Sequence, residues 1–124
     1  MIERNESQAA RCCLTTRFVD GWKAAMAAAI YADKLEKEID QMNLSIEPIK
    51  SFVLPGGSKV SSQLHLCRTT CRRAERYVVE LTEKEKVNPE ILKYLNRLSD
   101  WFFVSARKFN NNGKNDILWI PSKN

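Results

Sequence analysis

The chain has 124 residues, of which 44% are hydrophobic and 28% charged, and its formal net charge at neutral pH is +5. This length corresponds to one domain, and the balance of apolar and charged residues excludes a chain that is disordered throughout. Four glycines and four prolines are too few for a turn-rich all-β protein, so we predict an all-α fold. The longest apolar run, residues 24–32, is far shorter than the roughly 20 residues that cross a bilayer, and we predict no membrane partner.

The positive charge indicates an anionic partner but does not identify its class. Residues 1–19 contain three arginines, as an organelle import peptide does, but also two glutamates, which such peptides lack. We therefore expect the protein in the cytoplasm, or in the mitochondrial matrix if the source is eukaryotic. We divide the chain into a divergent N-terminal segment, residues 1–19, and a helical domain, residues 20–124.

The four cysteines are Cys12, Cys13, Cys67 and Cys71. Because no secretory signal precedes them, a reducing compartment is expected and a disulfide framework is not. Cys67 and Cys71 lie one helical turn apart near His65, which allows a zinc site, but the paired Cys-x-x-Cys spacing of such sites is missing. Small thiols that fill a helix interface are the favoured interpretation, so no metal ligands are assigned.

The first helix is predicted over residues 20–43, with Asp20 as its N-cap. Apolar and small residues recur at four-three spacing along one face: Gly21, Ala25, Ala28, Ala32, Leu35, Ile39 and Met42. Three helices leave part of their apolar faces uncovered without a fourth. We therefore expect either association with further copies or a separate short helix over residues 7–18.

The second helix is predicted to start after Ser58, because prolines and glycines between residues 48 and 57 exclude a continuous helix. It runs to about Thr82. Its apolar stripe has the same spacing: Val60, Leu64, Cys67, Cys71, Ala74, Val78 and Leu81. Of the four arginines between residues 68 and 76, three lie at the border of this stripe, Arg68, Arg72 and Arg76, where a side chain can be partly desolvated and still reach a ligand.

The third helix has the clearest boundaries, with Asn88 as N-cap, Pro89 in the first position and "NNNG" at residues 110–113 as its end. Its apolar face is formed by Ile91, Leu95, Leu98, Phe102, Ala106 and Phe109, and a more polar stripe beside it by Asn96, Ser99, Asp100 and Phe103. The tail that contains Trp119 is expected to extend over the helices. Three amphipathic helices of this kind predict an antiparallel bundle.

Two long strings, "SFVLPGGSKVSSQLHLCRTTCRRAERYVVEL" and "VNPEILKYLNRLSDWFFVSAR", resemble the ATP:cob(I)alamin adenosyltransferases of the propanediol-utilisation and human mitochondrial type. The resemblance is dense from about residue 35 to residue 107. It implies a ferritin-like bundle of four to five helices that assembles as a homotrimer and binds ATP and cobalamin. It also implies transfer of the 5′-deoxyadenosyl group of ATP to reduced cobalamin, which gives adenosylcobalamin and triphosphate.

The matching motif positions carry the expected site residues. The resemblance implies ATP binding by Arg68, Arg72 and Asn96, a corrinoid-side position for Phe52, and catalytic roles for Phe52 and Arg68. Arg76 and Asp100 match family positions with weaker support or substrate roles, as do Arg73 and Glu75. Guanidinium groups fixed on a helix stabilise a triphosphate leaving group, and a phenyl ring below cobalt excludes water without ligating the metal.

Family members begin with a threonine- and glycine-rich phosphate loop, whereas this sequence has no glycine before Gly21. We therefore expect an N-terminally shortened form, in which Mg²⁺ would be held mainly by the nucleotide. Two alternatives stay open: a non-catalytic corrinoid-binding homologue, and a basic helical module that binds nucleic acid. Arginines that border a buried stripe argue against nucleic acid.

Some of these residues also have plain structural interpretations. Without the resemblance, Phe52 would merely cover the end of a bundle. Asp100 is a better candidate for an ion pair than for a base, and His65 for a packed or surface residue than for a catalyst.

Overall fold

The computed structural model describes the backbone of residues 6–121 and the side chains of residues 23–121. Residues 1–5, which begin the segment considered as an import peptide, and the side chains of Cys12 and Cys13 lie outside this description. The order of elements is α1 (Glu6–Asn43), β1 (Val53–Leu54), α2 (Lys59–Thr82), α3 (Pro89–Lys108) and β2 (Ile117–Leu118). The all-α fold class is confirmed, with one two-residue strand pair as the only sheet in the described chain.

α1 is longer than the sequence predicts. Residues 7–18, given above as a separate short helix in one of two alternatives, belong to α1, and Asp20 lies inside the helix instead of capping it. Both predictions were wrong because a capping side chain favours a helix start but does not end a helix that already runs through it. The division into residues 1–19 and 20–124 stays a prediction.

α3 lies between the other two helices and contacts both, whereas α1 and α2 do not contact each other within residues 23–121. Trp101 Nε1 donates a hydrogen bond of 2.8 Å to Glu38, and Lys93 lies 3.6 Å from Asp33. Residue numbers rise together across this contact, so α1 and α3 run parallel. α2 runs antiparallel to α3, since Cys71 contacts Leu95 and His65 contacts Phe103.

The local signals at the other helix ends are confirmed. The Ser58 hydroxyl accepts a 3.1 Å bond from the Ser61 amide, and Asn88 accepts a 3.0 Å bond from Glu90. Asn111 and Asn112 have φ values of 55° and 54°, which reverse the chain after α3. The short side chain of asparagine tolerates this left-handed region better than most residues do.

The apolar stripe of α1 is confirmed by the burial of Ala25 and Ala32, but the stripe predicted for α2 is only partly covered. Cys71 is buried, whereas Val60, Cys67 and Leu81 are exposed. The fully covered face of α2 contains Ser61 and His65 instead. The reason is that α2 has α3 as its one helical neighbour in the described chain, so only one side of its apolar surface is covered.

The tail after α3 is extended, as expected, and pairs with the connection between α1 and α2. β1 and β2 are antiparallel, with Val53 opposite Leu118 and Leu54 opposite Ile117. This pairing fixes the segment that contains Phe52 beside the end of α3. No helix in the described residues combines the length and the apolar character that crossing a membrane requires.

Candidate functional site

An open cleft of about 570 Å³ lies between the α1–α2 connection, α2 and the tail. Its walls are residues 49–53, which include Phe52, together with Arg68, Phe103 and Trp119. We call it the Phe52 cleft. It brings Phe52 and Arg68, sixteen positions apart in sequence, to one site, which is the pair expected to be catalytic.

Phe52 stands at the mouth of this cleft and is 77% exposed. Its ring meets Trp119 edge to face, with 6.2 Å between the ring centroids. The backbone is held more tightly than the ring, because the Trp119 amide donates a 2.8 Å bond to the Phe52 carbonyl. An exposed aromatic ring on a fixed backbone presents a flat apolar surface to whatever enters the cleft.

Arg68 is the only half-buried member of the arginine cluster formed by Arg68, Arg72, Arg73 and Arg76. Its guanidinium carbon lies 4.8 Å from the centroid of the Phe103 ring, a cation–π arrangement. Phe103 belongs to the polar stripe identified in α3. The ring restricts where the guanidinium group can lie, so this cation is presented to the cleft in a defined place.

Behind Phe103 lies His65, which is only 1% exposed and has no hydrogen-bond partner at either ring nitrogen among the described residues. The two rings meet edge to face at 6.1 Å. Burial lowers the pKa of His65, the nearby Arg68 charge lowers it further, and Asp116 opposes the shift. His65 is therefore neutral at pH 7, a packed residue as expected.

Arg72 and Arg76 line a second cleft of about 400 Å³, which we call the Arg72 cleft. Both arginines are exposed, so the partial desolvation expected of them is not present in this chain. Carboxylates share the cleft: Glu75, Glu80 and Glu83. The Asn96 amide donates a 3.0 Å bond to Glu75, which links Asn96 to the edge of this cleft.

The remaining candidates line neither of these two clefts. Asp100 is 3.5 Å from Arg97, an ion pair that matches its structural interpretation. Arg73 lies over the Tyr77 ring at 5.6 Å and donates to its hydroxyl at 3.3 Å. Cys71 donates a 3.2 Å bond to the Leu95 carbonyl, so its thiol already has a partner other than a metal.

Of the Phe52 cleft, sequence reasoning assigned only Phe52 and Arg68 to a site, and the residues it missed include Lys50 and Trp119. Lys50 had a usable signal, since it lies two positions before Phe52 in the one proline- and glycine-rich stretch. Trp119 had none, because its place in the cleft depends on the pairing of β1 with β2 across more than sixty residues.

The fold and the two clefts define a class of protein. It is an all-α protein in which arginines of α2 line two clefts and an exposed aromatic ring stands in one of them. The family model for cobalamin adenosyltransferases matches residues 9–109. The chain belongs to this family.

Individual relatives agree. The chain is 51% identical over 76 residues to the corrinoid adenosyltransferase of Bacillus subtilis, covering 61% of this chain and 39% of that protein. It is 46% identical over 87 residues to the cobalamin adenosyltransferase of Cupriavidus metallidurans, covering 69% and 47%. The chain thus spans less than half the length of these curated relatives.

A solved structure has a similar fold over most of this chain. It is a variant of the PduO-type ATP:corrinoid adenosyltransferase from Lactobacillus reuteri, complexed with cobalamin and ATP. The TM-score is 0.68 at 41% identity, and the match covers 74% of this chain and 50% of that one.

Proposed function

We propose that this chain takes part in transfer of the 5′-deoxyadenosyl group from ATP to reduced cobalamin. In this reaction cobalt(I) supplies the electron pair of a new cobalt–carbon bond to the 5′ carbon. The carbon–oxygen bond to the triphosphate breaks, and its electron pair leaves with the triphosphate. The products are adenosylcobalamin and triphosphate, and no external oxidant or proton donor is needed.

The observation that carries the proposal is the meeting of Phe52 and Arg68 in one cleft. An exposed phenyl ring offers a flat face that excludes water from the corrinoid side and supplies no metal ligand. A guanidinium group held over Phe103 offers a fixed cation toward a departing polyphosphate. The two requirements of the reaction, a dry apolar face and a fixed positive charge, are thus adjacent.

The nucleotide is assigned to the neighbouring surface of α2, with Arg72 and Asn96 as binding residues. Arg72 lies one turn beyond Arg68, so a chain of phosphates can lie along both. The Glu75 carboxylate orients the Asn96 amide. Arg76 in the same cleft and Asp100 nearby keep supporting roles. Mg²⁺, if it accompanies ATP, would be held mainly by the phosphates, since the carboxylates of the Arg72 cleft share it with two arginines.

A homotrimer is part of the proposal. Large apolar side chains remain exposed on α1 and α2, among them Ile30 at 63% and Leu66 at 62%. Surfaces of this kind are covered in assemblies. Sedimentation of the purified chain should then give three times the mass of 14.3 kDa. For the compartment we propose the cytoplasm, or the mitochondrial matrix in a eukaryote.

The test mixes the purified chain with reduced cobalamin and ATP and follows the optical spectrum for formation of the cobalt–carbon bond. Arg68→Ala should lower the rate about a hundredfold while the far-UV circular dichroism stays unchanged. Lys59→Ala is the control, because it removes one positive charge from the same helix while Lys59 is exposed and lines neither cleft.

Each other outcome selects a different conclusion. Cobalamin binding without product supports the non-catalytic corrinoid-binding alternative, and absence of both binding and product rejects both. If Arg68→Ala unfolds the protein, Arg68 is structural. Equal losses in Arg68→Ala and Lys59→Ala mean that only general positive charge matters, as it would for a nucleic-acid module with steep salt dependence.

A further inference from the structure

The position of the Phe52 ring is set by its backbone and not by the packing of its own side chain. The ring is largely exposed, and Trp119 is its one aromatic neighbour in the described residues. Residue 52 also lies in the middle of the connection between α1 and α2, residues 44–58, which has no helix of its own. Whatever fixes this connection therefore decides where the ring stands in the cleft.

Hydrogen bonds hold the start and the middle of the connection to the last turn of α3 and the segment that follows it. Near its start, the Arg107 guanidinium donates a 2.7 Å bond to the Glu47 carbonyl, and the Glu47 amide donates to Asn112 at 3.0 Å. In the middle, β1 pairs with β2, and the Ser51 hydroxyl donates to the Trp119 carbonyl at 2.9 Å.

At its end, the Ser58 hydroxyl donates a 3.1 Å bond to the Phe109 carbonyl, and the side chain of Asn110, which is 1% exposed, makes two further bonds. Asn110 Nδ2 donates to the Gly56 carbonyl at 3.1 Å, and Asn110 Oδ1 accepts from the Ser58 amide at 2.9 Å. Gly57 lies so close that a Cβ there would come within 2.4 Å of Asn110 Oδ1. The Asn110 side chain thus bonds to the backbone on both sides of Gly57, immediately after β1.

Arg107, which bonds to the start of the connection, and Asn110, which bonds to its end, both donate to one carboxylate, that of Asp116. Asp116 Oδ2 accepts from Arg107 Nε at 2.7 Å, and Asp116 Oδ1 accepts from Asn110 Nδ2 at 3.1 Å. The side chains of Arg107 and Asp116 are 7% and 2% exposed. A buried network in which every member has a partner is rigid, because each broken bond leaves an unpaired polar group away from water.

We propose that Asn110 is a positioning residue for Phe52, with the Arg107–Asp116 pair as its support. Asn110 does not line the Phe52 cleft and reaches it only through the backbone of residues 52–58. The inference deepens the proposed function and rests on it insofar as the Phe52 ring faces the corrinoid. Its structural half, control of the β1–β2 pairing by Asn110, does not depend on any ligand.

The first experiment measures amide hydrogen exchange of the ligand-free full chain. Asn110→Ala should speed exchange of the Ser58 amide, whose acceptor is lost, and also of the Trp119 amide, which bonds to Phe52. Asn115→Ala is the matched control, since Asn115 is exposed in the same segment, and it should change neither amide. Faster exchange at Ser58 with unchanged exchange at Trp119 overturns the proposal.

The second experiment is a double-mutant cycle between Asn110→Ala and Phe52→Ala, read as the rate of adenosylcobalamin formation and as the affinity for cobalamin. Asn110→Ala alone should lower the rate about tenfold or more, since small displacements of a positioned group have effects of that size. In the Phe52→Ala background the same change should cost less than about threefold. Equal losses in both backgrounds mean that Asn110 acts on general stability, and the proposal fails.

The two experiments separate the two hypotheses. A wild-type chain that neither binds cobalamin nor forms product rejects the proposed function, and hydrogen exchange alone then decides the positioning role. If Asn110→Ala does not fold, Asn110→Ser replaces it, because a hydroxyl with a bound water can satisfy part of the network. Asn110→Ser is held to the same exchange and cycle outcomes.

Discussion

The Arg68 guanidinium lies 4.8 Å from the centre of the Phe103 ring, and His65 meets the same ring edge to face at 6.1 Å. Three side chains from two antiparallel helices thus form one stack at the wall of the Phe52 cleft. The stack joins a buried neutral group to a partly exposed cation through an aromatic ring. Its members therefore respond together when the ring is changed.

Phe103→Leu should weaken nucleotide use more than it weakens the fold. Loss of the ring removes the cation–π contact that restricts Arg68, so we expect the KM for ATP to rise about threefold to tenfold. The free energy of unfolding should fall by about 1 kcal/mol, because leucine keeps most of the apolar volume. Steady-state kinetics and urea unfolding measure the two effects.

Phe102→Leu is the matched control for that change, since Phe102 packs edge to face on Trp101 instead. It should cost similar stability and leave the KM for ATP unchanged. A KM that rises equally in both variants would contradict the role of Phe103 as the support of Arg68.

Asp116→Ala should be among the most destabilising single substitutions in the described chain. It removes two accepted hydrogen bonds and leaves the Arg107 charge buried without a carboxylate to pair with. Loss of one partner of a buried ion pair costs about 3–5 kcal/mol. Urea unfolding of wild type and variant gives the difference. A loss below about 1 kcal/mol would show that water reaches Arg107. Asp33→Ala is the control, because its pair with Lys93 is exposed and should contribute about 0–1 kcal/mol.

Histidine protonation should destabilise the native state in mildly acidic solution. Burial and the Arg68 charge lower the native pKa of His65, whereas the unfolded chain keeps a pKa of about 6.5. Between these two values the unfolded state binds more protons. Stability is therefore complete above about pH 6.5 and is lost as the pH falls toward the lower native pKa.

His65 is the only histidine, so its ring protons can be followed directly by NMR during a pH titration. The midpoint should lie below 6.5. His65→Leu should also lose less stability than wild type between pH 7.5 and pH 5.5. A midpoint at or above 6.5 would mean that the ring has a hydrogen-bond partner or reaches water.

The two cysteines of α2 should differ in reactivity. Burial raises the pKa of the Cys71 thiol, and Glu75 raises it further against the opposing effect of Arg72. Cys67 is exposed. Because the thiolate is the reactive form, iodoacetamide at pH 8 should modify Cys67 well before Cys71. Trypsin cleavage after Arg68 and Arg72 places the two residues in separate peptides for mass spectrometry. Equal rates would contradict the burial of Cys71.

Much of the fold was predictable because its signals are local. The hydroxyl of Ser58 and the amide of Asn88 bond to residues two or three positions ahead, so a short window of sequence marks the starts of α2 and α3. The beginning of α1 was not predictable in this way. Asp20 is a good capping residue, but it lies inside a helix that begins at Glu6.

The candidate site, too, was predictable only where its signals are local. The motif strings alone indicated Phe52, Arg68, Arg72 and Asn96, and their assigned roles stay predictions. What the strings could not indicate was that Arg68 is half-buried while Arg72 is exposed, since that depends on which side of α2 faces α3. Trp119 escaped notice because it reaches the cleft through the strand pairing.

By itself, the sequence determined the three helices, most of their boundaries and the family, because capping bonds and motif strings are contained in short stretches of chain. Only the tertiary structure decided that His65 is buried, that Arg107 and Asp116 pair, and that Asn110 closes the connection that contains Phe52. These contacts join residues brought together by the packing of α2 on α3 and of the tail on β1. Burial and pairing between residues far apart in sequence depend on which surfaces of the helices and the tail meet. An apolar stripe indicates that a helix face is covered but not which surface covers it.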